Sequence, residues 1–462
     1  MSKKIFIPFL ILTLLFLFAC KPQEFSEKIF PSSEIPSEPY PLEKSSEPST
    51  EQYGLDALCS GEQNCKEFCQ NNQEICEKYC RGKYENEFCK KYFLSPQEEV
   101  LPEKDASEHQ NLKTCSGTGT VVFTSPPMYL EDIETIQPIG LMIGGHVTPI
   151  DHGYYAASSW KAGSKREDPS QFRNVLAPAA GLIEIQSMPQ EYASSSLGDY
   201  RLIIHHTCSF YTIYIHVNQL SEKLQQAFKE KEIVAVEAGE VLGKAPGFDF
   251  SVHNEEVTLD GFIIPEHYEI EPFKIHTVDM FAHFAEPIKS QLLKKNVRQE
   301  EPRGGKIDYD IDGKLVGNWF EIGTNGYEGK KEYQRLLGYW STHLAFAYDG
   351  LVPSTLVVSI GDFAGEAKQF GVVGNAPDPS KVDLSSGLVK YELISYEYLT
   401  DMGTFWDRQH FAKVTATQPS SSVTGVVLVQ LLEPRKIKFE AFPGKTASQI
   451  ESFTEKAKAY ER

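Results

Sequence analysis

Short runs of β-branched, aromatic and other apolar residues, each bounded by turn residues, recur through most of this 462-residue chain. They include residues 119–123, 181–185, 200–204, 315–320, 343–348, 356–360, 391–396 and 425–431. Runs of this length between Gly, Pro, Asn and Asp residues are typical of strands. We therefore predict a mainly β protein with two β-rich regions, 113–284 and 303–462, the second of which forms a barrel or a sandwich.

Helical patterns are few in this part of the chain. Residues 220–232 have helical spacing, residues 285–302 have the character of a short helical connector, and residues 446–461 predict a C-terminal helix. The remainder of the two regions is expected to consist of strands and loops.

The N-terminus has the parts of an export signal. Positive charge at Lys3 and Lys4 precedes an apolar run over residues 5–18, which ends at Ala19 and Cys20. The run is about as long as a signal-peptide core and short for a membrane span. A small residue followed directly by Cys resembles the lipobox of bacterial-type lipoproteins. The resemblance implies that cleavage precedes Cys20 and that Cys20 then carries a lipid.

We therefore predict that residues 1–20 are a lipoprotein signal peptide and that the protein is extracytoplasmic and anchored to a membrane through Cys20. An ordinary secretory signal or an uncleaved anchor is the alternative. Residues 21–57 are rich in Ser, Pro and Glu and predict a disordered tether. The net charge of −19 argues against nucleic acid as a partner, because phosphates need a basic face.

Eight of the nine cysteines remain after Cys20, and an even number suits disulfides in an exported protein. Six of them lie within residues 58–95, namely Cys59, Cys65, Cys69, Cys76, Cys80 and Cys89. Two pairs are spaced four residues apart, which places each pair on one face of a helix. We predict a small disulfide-rich helical hairpin, with zinc binding by the thiolates as the alternative. Cys115 and Cys208 are left to pair with each other.

Four segments of the middle region carry the residues with chemical potential. They are Gly-Gly-His-Val-Thr-Pro-Ile-Asp-His at 144–152, the Ala-Pro segment at 175–183, the segment 202–217 with its Tyr-x-His, and the Gly-rich segment 236–252. In this order they resemble the lysostaphin/LytM-type zinc endopeptidases, which cleave peptidoglycan cross-bridges. The resemblance covers residues 145–284 and implies a duplicated-hybrid-motif β-fold.

In that family two His and one Asp bind zinc, and a further His assists the attacking water. The resemblance matches His216, in the Tyr-x-His element, to a catalytic His. It matches His206 to a structural His of the preceding strand. It also implies a set of candidate metal ligands, namely His146, Asp151, His152 and Asp249.

The match departs from the family pattern at two places. When Phe250 is aligned with the last motif, Asp249 stands on the second His of His-x-His and Gly247 on the first. One imidazole thus becomes a carboxylate and another is absent. His146 and Asp151 are five residues apart, whereas the family spacing is four. The site is expected to be altered chemically while its fold is kept.

We therefore predict a cell-envelope lipoprotein with a degenerate LytM-like domain that binds or regulates rather than hydrolyses. Peptidoglycan, a glycan or an envelope protein is the expected partner, and no cofactor is assigned. One alternative is an active metal-dependent endopeptidase that binds one zinc or other divalent ion through the altered ligand set. A structural subunit of an envelope assembly is the other.

Two sequence patterns in the C-terminal region bear on its function. The Gly-Asn-Trp at 317–319 resembles the Gly-x-Trp of lipocalin barrels, although the simpler prediction is that Trp319 is a core residue. Asp308, Asp310 and Asp312 alternate as calcium ligands can. Without the later bidentate Glu of an EF-hand, they predict a solvated turn.

Overall fold

The computed structural model describes residues 115–160, 166–189, 194–330, 338–373 and 376–462. The predicted signal peptide (1–20), tether (21–57) and cysteine-rich hairpin (58–95) lie outside the described residues, as do Cys20 and the six cysteines of the hairpin. Within the described residues, no helix combines the length and the apolar character needed to cross a membrane.

The first region folds mainly into strands, in agreement with the sequence prediction. Its elements in chain order are β1 (Ile133–Gln137), β2 (Gly153–Ala157), β3 (Arg173–Leu176), β4 (Gly181–Ser187), β5 (Tyr200–His205), β6 (Phe210–Val217), β7 (Gln219–Leu220), α1 (Glu222–Glu230), β8 (Val234–Val236), β9 (Val241–Ala245), β10 (Gly247–Asn254), β11 (Thr277–Val278) and α2 (Ile288–Lys295).

These strands form two sheets that share one core. The large antiparallel sheet has the order β1–β2–β10–β6–β5–β4–β8, with β11 pairing with the far end of β10, and the small sheet has the order β3–β9–β7. The core contains Val175 and Leu242 from the small sheet and Ile183, Tyr214 and Phe250 from the large one. The small sheet therefore covers one face of the large sheet.

Strand β10 lies inside the large sheet and is buried along its whole length. Phe248, Phe250 and Val252 enter the core shared with the small sheet. Because side chains alternate along a strand, Asp249 and Ser251 lie on the opposite face. Both faces of β10 are therefore covered, and Asp249 is held in a buried position.

The second region is a closed barrel rather than a sandwich. Its strands are β12 (Gly317–Glu321), β13 (His343–Tyr348), β14 (Leu356–Phe363), β15 (Glu366–Val372), β16 (Val389–Thr400), β17 (Val414–Glu433), β18 (Lys436–Pro443) and β19 (Lys458–Glu461). Each strand pairs with the next in antiparallel fashion, and β19 returns to β12 to close the barrel.

Trp319 is a fully buried core residue of this barrel. Its indole Nε1 donates to the carbonyl of Leu315 at 2.8 Å. The guanidinium of Arg462 lies 4.0 Å from the indole ring centre, in cation–π contact. Arg462 also pairs with Asp310 at 3.5 Å and donates to the backbone carbonyl of Val316. Arg462 and Trp319 thus form a buried cation–π stack in the barrel.

The outer parts of β16 and β17 extend from the barrel to the first region. Tyr398, Trp406 and Val414 of this hairpin share a buried apolar cluster with Leu141 and Ile150. The two β-rich regions therefore meet through a packed interface.

Several sequence predictions are confirmed and others need correction. Helix α1 confirms the prediction at 220–232, helix α2 confirms the connector, and Cys115 and Cys208 form a disulfide. The helix predicted at 446–461 is wrong, because that segment contains only a short 3-10 turn before β19. Pairing with β12 and β18 overrides the local helical pattern there.

Two smaller predictions also fail. The segment 119–123 is not a strand, and Phe123 makes only an isolated bridge to Phe284. The aspartates near 310 do not form a wholly solvated turn. Asp310 is buried against Arg462, whereas Asp312 pairs with the exposed Arg435 at 2.9 Å. Each carboxylate has its own partner.

Candidate functional site

Residues from separate segments gather at one end of the large sheet. His146 and Asp151 belong to the segment before β2, and His152 immediately precedes that strand. His216 lies near the end of β6, and Asp249 lies in β10. Asp249 stands opposite Ile215 of β6 and Tyr154 of β2 in the sheet register, so the five site residues named from the sequence occupy neighbouring strands and their ends.

A bulge in β6 places His216 at the site. Tyr200 pairs with Val217 but Leu202 pairs with Tyr214, so β6 carries one residue more than β5 over this interval. His216 sits in the bulge with a φ of 68°, a left-handed conformation that is unusual for a residue other than glycine. Bulges of this kind re-aim a side chain, and such backbone strain is concentrated at functional sites.

Asp249 lies between two imidazoles. Its Oδ2 is 3.6 Å from Nε2 of His152 and 3.6 Å from Nε2 of His216. Both separations suit ion pairs and exceed normal hydrogen-bond length. All three side chains are buried or nearly buried, and none of them is more than 11 % exposed.

The other nitrogen of each imidazole faces a second carboxylate. Nδ1 of His216 is 2.8 Å from Oδ2 of Asp199, and Nδ1 of His152 is 3.3 Å from Oδ1 of Asp151. The site is therefore a buried row of alternating acid and imidazole groups, which we call the imidazole–carboxylate row: Asp199, His216, Asp249, His152 and Asp151.

Asp199 was not found from the sequence, because it lies in a loop with no motif around it. The backbone N–H and the hydroxyl of Ser194 both donate to its Oδ2, at 2.5 and 2.6 Å. Burial raises the pKa of Asp199, but the hydrogen bond and charge of His216 and the bonds from Ser194 outweigh it. The net pKa is below the ordinary value, so Asp199 is a carboxylate that orients His216.

Two fixed cations adjoin the row, and the sequence reasoning missed both. Lys274 is fully buried, with its Nζ 3.3 Å from Oδ1 of Asp151, 3.5 Å from the hydroxyl of Tyr327 and 4.8 Å from the centre of that ring. Arg166 donates from Nη2 to the carbonyl of Gly247 at 2.7 Å and to that of His216 at 3.3 Å. A lone Lys or Arg without a surrounding motif carries no sequence signal of burial.

The surroundings of His146 and His152 shift the pKa values of these two imidazoles in opposite directions. Burial and the nearby charges of His152 and Lys274 lower the pKa of His146 to about 3, so His146 is neutral. Burial lowers the pKa of His152 as well, but the carboxylates of Asp249 and Asp151 more than compensate, and its net pKa is raised. Burial also raises the pKa of Asp151, which Lys274 and His152 then depress well below its ordinary value.

A pocket that is open to solvent lies beside the row. Its walls include the apolar or aromatic residues Leu141, Ile143, Tyr154 and Trp160, and its charged lining residues are Arg166 and Asp249. Asp249 is thus shared by the pocket and the imidazole–carboxylate row.

The remaining histidine named from the sequence, His206, contacts backbone, a hydroxyl and an aromatic ring. His206 bonds through Nδ1 to the carbonyl of Ala180 at 2.8 Å and through Nε2 to the hydroxyl of Thr212 at 3.1 Å, and its ring contacts Phe123. Burial lowers its pKa to about 4. These contacts fix the segment that follows β5.

As the side chains stand, no group of three or more His, Cys, Asp or Glu residues in the described part of the chain has the arrangement of a metal site. The chain has no significant match among protein-family models, curated proteins or solved structures.

Proposed function

We propose that this protein is a membrane-anchored lipoprotein of the cell envelope in which the region 113–284 is a degenerate LytM-like domain. In this proposal the domain binds a ligand or regulates a partner and does not hydrolyse a substrate. The anchor rests on the Ala-Cys sequence at residue 20 and on the Cys115–Cys208 disulfide, which suits an oxidising compartment.

The observation that carries the binding function is the position of Arg166. In the family pattern an imidazole belongs at the position of Gly247, and that imidazole assists catalysis. Here position 247 has no side chain, and the guanidinium of Arg166 is bonded to the Gly247 carbonyl at 2.7 Å, so that a cation lies beside this position. A guanidinium stays protonated and cannot serve as a general base. The exchange removes proton-transfer capacity and adds a fixed positive charge.

Charge balance supports the same conclusion. Three carboxylates of the row would attract a divalent cation, but Lys274 already contacts Asp151 and Arg166 lies beside Asp249. A metal ion would have to compete with two cations that the fold holds in place. Affinity for a divalent ion is therefore expected to be much lower than in a site of neutral imidazoles and one carboxylate.

A second candidate is an active zinc endopeptidase. It is favoured by the outer partners of the two imidazoles, because metal-binding His residues usually pass their other N–H to a carboxylate, as His216 does to Asp199 and His152 to Asp151. His152, His216 and Asp249 would hold the ion, with neutral His146 nearby. These donor types suit zinc, which would supply an activated water for hydrolysis.

One experiment separates the two candidates. The protein purified without residues 1–20 is analysed for bound metal and assayed on peptidoglycan and on peptides, with His216→Ala as the control. We expect metal far below one equivalent and no turnover above that of the variant. Stoichiometric zinc together with turnover that the His216→Ala variant lacks would overturn the proposed binding function.

A purely structural role in an envelope assembly is distinguished by its partner. Such a subunit would co-purify with another envelope protein while small ligands and glycans leave the pocket unoccupied. Peptidoglycan or glycan pull-down with the wild type, compared with a variant in the pocket, tests this alternative directly.

A further inference from the structure

The pocket beside the imidazole–carboxylate row contains the means to recognise both ends of a small dipolar molecule. Arg166 and Asp249 line the same pocket, and the rest of its wall includes Leu141, Tyr154 and Trp160. An apolar pocket with a few convergent charged groups is the usual form of a small-molecule site. The chemistry of the two charged groups then decides what kind of molecule fits.

Arg166 is oriented by the backbone and keeps donors for a ligand. Its Nη2 is committed to the carbonyls of Gly247 and His216, which fixes the plane of the guanidinium. Its Nε is buried without an acceptor and is shielded from solvent, so the donor that remains for a ligand is Nη1, which makes no hydrogen bond to the described residues. A guanidinium has five N–H donors in a planar fork that matches a carboxylate. A ligand carboxylate at Arg166 would make use of the donors that the protein leaves over.

Asp249 supplies the complementary charge. One of its oxygens, Oδ2, faces the two imidazoles, and the residue also lines the pocket. A purely anionic ligand would add negative charge beside Asp249 and Asp199, and a purely cationic ligand would meet Arg166. A molecule that carries an ammonium and a carboxylate together adds no net charge, so it satisfies both groups at the lowest desolvation cost.

We propose that this pocket binds the zwitterion of a free α-amino acid with an apolar or aromatic side chain. The carboxylate is bound by Arg166, the ammonium by Asp249, and the side chain packs against Leu141, Tyr154 and Trp160. This inference rests on the proposed binding function and names the ligand class of the same site. It assigns Arg166 as the residue that determines specificity for the carboxylate.

Calorimetric titration of the full-length protein in detergent tests the proposal with matched probes. The probes are L- and D-phenylalanine, 3-phenylpropionate, which lacks the ammonium, and phenethylamine, which lacks the carboxylate. We expect at least one phenylalanine enantiomer to bind roughly tenfold or more tightly than either fragment, because two charge-assisted contacts replace one. Equal affinity for phenylalanine and 3-phenylpropionate, or no binding of phenylalanine at millimolar concentration, would overturn the proposal.

Three variants locate the binding. Arg166→Gln is expected to weaken the binding of phenylalanine and of 3-phenylpropionate roughly tenfold or more and to leave the binding of phenethylamine unaffected. Arg166→Lys keeps the charge but loses the planar fork, so it should restore only part of the affinity. Arg173→Gln is the control, because Arg173 pairs with Asp132 at 3.2 Å outside the pocket. Unchanged phenylalanine affinity in a folded Arg166→Gln protein would assign the binding to another place and refute this site.

Trp160 provides a second measurement that does not depend on heats of binding. Phenylalanine should change the tryptophan fluorescence of the wild type and not that of Trp160→Phe, if the ligand occupies this pocket. The failure of this proposal differs from failure of the proposed function. Absence of amino-acid binding leaves the metal and turnover results unchanged, whereas zinc with turnover would overturn the proposed function whatever the pocket binds.

Discussion

The buried pair of Lys274 and Asp151 gives the sharpest test of how this site is held together. Lys274 is 0 % exposed and its Nζ lies 3.3 Å from Oδ1 of Asp151. At an effective dielectric constant of about 20, two charges at this separation attract by about 5 kcal/mol. Loss of one partner of a buried pair typically costs about 3–5 kcal/mol, because the other charge stays buried without compensation.

We therefore expect Lys274→Met to lower the free energy of unfolding by about 3–5 kcal/mol, measured by equilibrium urea unfolding. The double variant Lys274→Met with Asp151→Asn should lose less than the sum of the two single changes, with a coupling of about 2 kcal/mol or more. Lys306→Met is the matched control. Lys306 is 42 % exposed and pairs with Asp308 at the surface, so its loss should cost about 1 kcal/mol or less.

The same pair predicts a pH dependence of defined sign. The pKa of Asp151 in the folded protein is well below its ordinary value of 3.8. Its contribution to stability is therefore complete above about pH 4 and is lost as the pH falls through the depressed folded-state pKa. This acid-dependent loss should be smaller in Lys274→Met. Additive single variants, or a Lys274→Met protein as stable as the Lys306→Met control, would refute the reasoning.

Three further predictions concern features away from the row. Replacement of Cys115 and Cys208 by Ser should lower stability by roughly 2–4 kcal/mol in urea unfolding, and reduction should destabilise the wild type by about this much more than the variant. Cys20→Ser should abolish incorporation of labelled fatty acid and release the protein from the membrane fraction. Arg462→Ala should destabilise the barrel by about 2 kcal/mol or more, because it removes a buried cation from the Trp319 ring; a thermal unfolding midpoint equal to that of the wild type would contradict this.

The β character could be predicted, and the second region could be narrowed to a barrel or a sandwich, because each strand carries its own local pattern. The runs at 343–348 and 425–431 are β-branched and apolar, and they form β13 and part of β17. The helix predicted at 446–461 failed because nothing local announces that residues 458–461 pair with a strand about 140 positions earlier. Strand pairing across long sequence separations is the information that a local pattern lacks.

The residues of the candidate site could likewise be predicted only in part. His152, His216 and Asp249 could be named from motif order. The structure places both imidazoles beside Oδ2 of Asp249, and the roles of the three residues are proposals. Asp199 and Lys274 could not be named, since Asp199 lies in a loop and Lys274 in a short 3-10 helix, neither has a motif around it, and only the fold brings them to the row. The bulge at His216 was equally hidden, because a register shift is a property of two strands together.

The barrel supports the loop beside the pocket. Its long hairpin packs on Leu141, its Gln369 donates to the carbonyl of Gly144 at 3.0 Å, and the indole of Trp340 leaves no room for a side chain at Gly145. The loop that carries His146 is therefore held in place by contacts from the barrel. We expect Trp340→Ala, which loosens this contact, to lower the affinity of the proposed pocket for its ligand. Damage to the barrel would then be measured as weaker ligand binding in the first region.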